Sequence, residues 1–510
     1  MNEPLDITKV PLDDLAVWDL ICDGHVKGVF QVESRLGKKW CREMKPRSIE
    51  ELSDLTSAIR PGTLKAMEDG KSMTQHYTDR KNGVDEVKSL HPSIDDIVKS
   101  TQGIILFQEQ SIQIAVRMAG FSEEAGEGLR KAIGKKQADL MTKIKVDFID
   151  GCIKNGHTKE DAERIFGIVE KSSRYSFNKS HSVEYSIMTY WSAYLKLYYP
   201  RLFYLNWLKE AHEKPETDVE VRELIMSAKI DDIDVFGPRM EYIENEFTLQ
   251  KDGIYFGMSN IKNVGQKDSD RLKDLLNDEG VGDYAVFLIK VLFNLNKRAA
   301  ENMIAVGVFS SLGKSRTRIS HDLECIRGLS KGETEWLQQN VQPVSLVDNL
   351  AMLARTKKNG GGCHAEKRVD AVKEVIVRIE SPGRSMDDDP SVFVDKETKL
   401  LGVSITYSRT QSCADASLAN ATCKEFNDGR GGGIVVACEI VSFREHEATS
   451  GLMCFVTAED ETGEMENIVV FPQQYEEYGG IIYEKATVLL YGKRDDRGRD
   501  SFIVEKVLQI

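Results

Sequence analysis

The sequence is poor in chain breakers and has no long apolar run. Twelve prolines and 39 glycines in 510 residues exclude a collagen-like, mucin-like or wholly disordered chain. No stretch approaches the roughly 18 consecutive apolar residues of a membrane span. Residues 1–30 lack the basic-then-apolar pattern of a secretory signal. The nine cysteines include no C-x-x-C pair, which argues against a disulfide framework and a cysteine-built zinc site. No repeat of 20–50 residues stands out. The expectation is a protein of the reducing cytoplasm with no membrane partner.

What is present is ordinary soluble composition, 41% hydrophobic and 29% charged. At about 150 residues per domain the length suggests three or four domains. The net charge of −14 speaks against a binder of nucleic acid over its whole surface. That average conceals a local excess. Residues 101–212 hold 16 Lys/Arg against 13 Asp/Glu. Between Arg130 and Lys145 there are six basic residues (Arg130, Lys131, Lys135, Lys136, Lys143, Lys145) and one acid, Asp139. Such a run reads either as a solvated helix face or as an anion-binding surface.

Texture changes along the chain. Residues 1–100 mix short apolar clusters with turn signals such as Arg60-Pro61-Gly62. From about 103 to 212 the apolar period is helical, as in Ile112, Ala115, Val116 and Ala119. Pro200 marks a helix boundary. A charged, less periodic stretch follows to about 255, then short helical pieces to 313. Residues 314–398, with Gly360-Gly361-Gly362 and Asp387-Asp388-Asp389, read as a variable linker. Beyond 399 the period becomes two in Gly433–Ile440, Leu452–Thr457, Glu466–Phe471 and Ala486–Tyr491, which predicts a small antiparallel barrel.

The run Phe177-Asn178-Lys179-Ser180-His181-Ser182 precedes a helical segment. It reads as a polar cap or as an anion site at a helix start. Four further segments come before it in order: Gly28-Val29-Phe30-Gln31-Val32-Glu33-Ser34, Ile59-Arg60-Pro61-Gly62, Gly103-Ile104-Ile105-Leu106-Phe107-Gln108-Glu109-Gln110 and Leu129-Arg130-Lys131-Ala132-Ile133-Gly134-Lys135-Lys136. Each is weak alone. The five together closely resemble the fingers region of the alpha subunit of bacterial DNA polymerase III, a family C replicative polymerase. The resemblance continues through a helix-hairpin-helix region and a terminal OB barrel, over roughly 1–313 and 399–510.

The resemblance implies a multidomain fold. A mostly helical fingers domain (1–235) is followed by a helix-hairpin-helix region (236–313), the linker (314–398) and an all-β OB domain (399–510). It implies that Arg130 and Lys131 face the triphosphate of an incoming dNTP. Lys135, Lys136, Arg60, Lys179 and His181 would line the same pocket or the nearby template-primer DNA. Lys131 replaces the usual arginine, keeping charge but losing the bidentate fork. Thr63 replaces the proline usual after Arg-Pro-Gly. His181 also reads as a structural histidine, and Gln108, Glu109 and Gln110 as scaffold. In the hairpin region, Lys262, Asn263 and Gly265, with Lys297 and Arg298 on a second element, would contact duplex phosphates. Asn263 stands where glycine is usual, and asparagine tolerates left-handed backbone. In the barrel, Arg494, Arg497 and Arg499 would lie in a hairpin loop, with Phe443 and Phe455 as candidate stacking aromatics.

Mechanism in this family needs two Mg2+ ions on palm carboxylates upstream of the fingers. The acids here, Asp232, Asp234 and Asp387–Asp389, read as solvated and not as substitutes. The match begins near Ile7, so the expectation is the fingers and DNA-binding half of a split DNA-directed DNA polymerase, inactive without a palm-bearing chain, in a bacterial cytoplasm, with a phage or similarly compact genome as its source. A sliding clamp is an implied partner, although Gln342-Pro343-Val344-Ser345-Leu346 lacks the aromatic end of a clamp-binding peptide. The alternative is a non-catalytic DNA-binding accessory protein derived from such a polymerase.

Overall fold

Capping chemistry written into the sequence starts the first helices. Asp14, Ser34, Ser48 and Ser72 each accept a hydrogen bond from a backbone N–H two or three residues on, satisfying donors that a helix start leaves bare. In a computed structural model, residues 5–134, 138–172, 175–280, 282–495 and 501–510 are described. The chain divides into two compact units, 1–203 and 204–510. Among the described residues no helix is long and apolar enough to cross a membrane.

The first unit is helical and has two apolar cores. Helices Leu15–Cys22, Arg35–Met44, Ile49–Ala58 and Lys179–Tyr198 bury Trp18, Trp40, Leu52, Leu55 and Tyr190 in one. The 20-residue helix Lys179–Tyr198, about 30 Å long, presents Ser182, Ser186, Thr189 and Ala193 as a buried small-residue face. That face packs on Ile49–Ala58. Helices Gln108–Ala119, Glu123–Gly134, Ala138–Lys154 and Lys159–Ser172 surround the second core, which holds Ile114, Met118, Phe148 and Phe166. Between the cores runs an extended segment whose side chains divide between them. Ile104, Leu106 and Phe107 enter the first core and Ile105 the second. Pro200 opens the next helix, Pro200–Glu210, as its position predicts.

The second unit begins helically and ends in β-structure. A three-stranded sheet of Val235–Phe236, Ile254–Tyr255 and Thr248–Leu249 precedes helices Gln266–Glu279 and Lys297–Ala305. Residues 314–398, expected as a linker, are instead largely helical: Arg316–Arg327, Lys331–Asn340, Leu346–Leu353, Glu366–Glu380 and Pro390–Leu401. Their apolar positions recur at helical spacing and are buried, as at Ile319, Leu323 and Ile326 or Leu346, Leu350 and Leu353. The glycine triplet and the aspartates that suggested a linker are the turns and caps between helices. Asp388 accepts from the backbone N–H of Arg316 and Thr317 at 3.1 and 2.9 Å, and Asp389 caps Pro390–Leu401.

Five strands then close a barrel in the order Phe502–Gln509, Gly463–Val470, Gly451–Asp460, Ile434–Ala448, Thr487–Arg494. All pairings are antiparallel except the one joining the last strand to Gly463–Val470. Alternate residues Val436, Cys438 and Ile440 point into its core with Val456, Ala458 and Ile468, which is why the sequence reads with period two. The fold is thus a helical N-terminal region followed by a closed five-stranded, OB-like barrel.

Candidate functional site

The cations singled out in the first unit gather where two distant segments meet. Gln108 N–H donates to Phe177 O and Phe177 N–H to Leu106 O, both at 2.9 Å. This short parallel bridge sets helix starts Gln108 and Lys179 side by side, with Phe107 and Phe177 between them. Arg60, the N-cap of helix Pro61–Lys65, lays its guanidinium 3.3 Å from the Phe177 ring centre, a cation–π contact. Its partial burial pulls its pKa down. Lys179 Nζ lies 5.7 Å from the Phe107 ring centre. His181 meets Phe177 edge-on at 5.3 Å and Tyr185 at 4.0 Å, and Tyr185 in turn packs on Phe30. Arg130 reaches the bridge from the other lobe, its Nη1 donating to Gln108 Oε1 at 3.2 Å. Arg60, Arg130, Lys179 and His181 therefore share one neighbourhood.

Several neighbours are committed to holding it. Gln110 is buried and uses its whole amide, accepting from the N–H of Leu106 and Phe107 and donating to Ile97 O and Thr101 Oγ1. Ser182 Oγ donates to Ser53 O at 2.9 Å and lies 3.0–3.1 Å from the hydroxyls of Ser57 and Thr56. Nearby Asp54, buried and bonded to Tyr77 OH at 2.8 Å, has its carboxyl pushed up to about 7 by burial.

The start of helix Lys179–Tyr198 differs from one of its two sequence readings. Glu109 accepts from the Lys179 N–H at 3.0 and 3.1 Å and from Asn178 Nδ2 at 3.0 Å, while Asn178 Oδ1 takes the His181 N–H at 2.8 Å. The helix-start amides are therefore capped from within the chain, as the capping reading expects. The positive charge left at this surface is that of side chains. Lys131 sits on the same helix as Arg130 with its side chain 61% exposed and its Nζ 3.9 Å from Glu127 Oε1. Lys135 and Lys136 lie outside the described residues, as do Arg497 and Arg499. Phe30, in the first of the five motifs, is half-buried, and Trp40 beyond it is buried.

In the second unit, Asn263 adopts φ +64°, the left-handed geometry expected of a residue standing in for glycine. Lys262, Asn263 and Gly265 are exposed, as are Lys297 and Arg298. Asn302 Nδ2 donates to Lys262 O at 2.7 Å, which ties the hairpin to helix Lys297–Ala305. Two backbone donors expected to serve phosphates are already used. Lys262 N–H goes to Leu400 O and Gly265 N–H to the Asp268 carboxylate. Arg494 ends its strand instead of lying in a loop, and its guanidinium stacks 4.2 Å from the Phe426 ring centre and donates to Phe426 O. Phe443 is exposed and Phe455 half-buried, outside the barrel core, with Arg444 5.4 Å from the Phe455 ring centre.

Sequence reasoning missed Glu127, whose carboxylate faces Arg130 three residues later. That spacing on a helix was the available signal.

Comparison with known proteins agrees with this architecture. Residues 1–156 match the bacterial DNA polymerase III alpha subunit finger domain, and residues 232–319 a helix-hairpin-helix motif. The DNA polymerase III subunit alpha of Borreliella burgdorferi is 27% identical over 527 aligned residues, covering 100% of this chain and 42% of that protein. That of Halalkalibacterium halodurans is 27% identical over 99% of this chain and 42% of its own. The Aquifex aeolicus subunit is 33% identical over 62% of this chain and 27% of its own. These matches fit a C-terminal portion of a DNA polymerase III alpha subunit. The similarity runs from the finger-domain segment through the helix-hairpin-helix segment and, in two of these relatives, over almost all of the chain. The chain spans about two fifths or less of the length of these relatives.

Proposed function

We propose that this chain supplies the dNTP- and DNA-binding part of a DNA-directed DNA polymerase. Arg130 and Lys131 take the triphosphate, Lys135 and Lys136 add to the same positive field, and Arg60, Lys179 and His181 line the pocket or the nearby template-primer. Fixed cations suit this role because charge builds on the phosphoryl group during transfer. The hairpin region, through the side chains of Lys262, Asn263, Lys297 and Arg298, holds the duplex part of the template-primer. The barrel holds single strand, with Arg494 and Arg497 as the basic residues this reading assigns to it. The four-part division at 235, 313 and 398 belongs to this reading. The observation that carries it is the convergence of Arg60, Arg130, Lys179 and His181 on the Phe107–Phe177 bridge.

The acids described above do not fit a magnesium pair. Asp232 and Asp234 are exposed, and Asp388 and Asp389 are spent as helix caps. The proposal therefore assigns Mg2+ to palm carboxylates outside these 510 residues. No step of the chemistry is assigned to these 510 residues. They bind, orient and neutralise.

The test is to pull the chain from its native host and assay the complex for primer extension with magnesium, alongside the complex carrying Arg130→Ala and Lys131→Ala. A co-purifying palm-bearing chain, with incorporation lost and DNA binding kept in the double variant, supports the proposal. A chain that comes down alone and only binds DNA supports the accessory-protein reading.

A further inference from the structure

The positive cluster already holds an anion of its own. Arg130 turns one edge of its guanidinium, Nε and Nη2, to the two oxygens of Glu127 at 2.8 and 2.5 Å. Its remaining nitrogen, Nη1, is on Gln108. Lys131 Nζ stands 3.9 Å from the same carboxylate. One acid therefore sits against both residues assigned to the triphosphate, on the edge that a phosphate takes when arginine binds it bidentately. Glu109, the other acid whose charge acts on Arg130, has its oxygens on Asn178 and the Lys179 N–H, so it cannot let go without uncapping a helix. Glu127 has no such tie. Its side chain and that of Arg130 are 37% and 36% exposed, and an ion pair so open to water is weak. A polyphosphate carries several charges against its one.

We infer that Glu127 is a resident phosphate surrogate, which Arg130 and Lys131 exchange for the triphosphate of an incoming nucleotide. The inference rests on the nucleotide-binding reading above and adds a residue to it. Glu127 keeps the Arg130 fork extended and aligned along Gln108 while the site is empty, then competes with the ligand for it. It acts as a positioning residue that lowers affinity while preserving geometry.

The test titrates sodium tripolyphosphate and then dATP into the 510-residue chain by calorimetry, comparing the natural sequence with Glu127→Gln and Arg130→Ala after circular dichroism has shown all three folded. Glu127→Gln is expected to bind about two- to five-fold more tightly, the range open to an exposed ion pair. Arg130→Ala is expected to bind about tenfold more weakly or worse. The Nε–H resonance of Arg130 supplies a second readout. Tripolyphosphate should move it in the natural chain, and Glu127→Gln should move it with no ligand present. Equal or weaker binding by Glu127→Gln overturns the surrogate and leaves Glu127 as an ordinary helix ion pair. Unchanged binding by Arg130→Ala overturns the nucleotide reading instead. If the natural chain binds neither ligand but Glu127→Gln binds, the surrogate stands; if neither chain binds, both readings fall.

Discussion

Gln110 illustrates how much can rest on one amide. Its four hydrogen bonds satisfy two buried N–H groups next to the Phe107–Phe177 bridge. Replacement by alanine strands both, each at a cost of 1–3 kcal/mol, so Gln110→Ala should lose about 3 kcal/mol in denaturant unfolding. Asp54 gives a pH signature. Its carboxyl ionises near 3.8 in an open chain and is pushed up to about 7 by burial in the fold. Between those values the folded state keeps a proton that the unfolded state has released. Stability should therefore fall as pH rises through that window. Asp54→Asn, which preserves the shape and can still meet Tyr77 OH, should flatten that part of a stability-against-pH curve. At this scale the motifs that carry Arg60, Arg130, Lys179 and His181 are legible because each is short and contiguous, and the fold brings the four into one neighbourhood. Glu127 and the committed role of Gln110 are not legible, because their meaning lies in partners that only folding brings near.

Elements were read well where periodicity was long and poorly where punctuation distracted. The barrel's first four strands announce themselves by alternation. The fifth, Phe502–Gln509, follows a charged stretch, and its alternation is broken by a register shift between Val504 and Lys506. In residues 314–398 three glycines and three aspartates are more conspicuous in the sequence than the five modest helical stripes that the fold contains. Packing between these helices is strict. Arg316 and Glu397 are buried and paired at 2.6 Å, with Arg316 also donating to Ala305 O. Arg316→Ala leaves Glu397 charged and partly unpaired, and should cost about 3–5 kcal/mol by calorimetry or denaturant titration. In the first unit, helix Ala138–Lys154 approaches helix Gln108–Ala119 so closely that a Cβ on Gly151 would stand 2.1 Å from Ala119 O. Gly151→Ala must push the helices apart, with an expected loss of about 1–3 kcal/mol.

Across the whole molecule, net charge is a poor guide to what each part binds. The −14 total coexists with exposed Lys262, Lys297 and Arg298 on elements joined through Asn302. If these meet duplex phosphates, Lys262→Ala and Arg298→Ala should each weaken binding to unrelated duplexes by a similar factor and reduce the salt slope by about one. Fluorescence anisotropy across a salt series reads both. Within the first unit, Arg60 stands at the edge of one core, and Arg130 follows Leu129, which is buried in the other. The two cores share the single extended wall 104–107. If the two arginines take one guest, as proposed, that wall is the beam of a caliper, and a bend in residues 104–107 would reset the gap between the jaws.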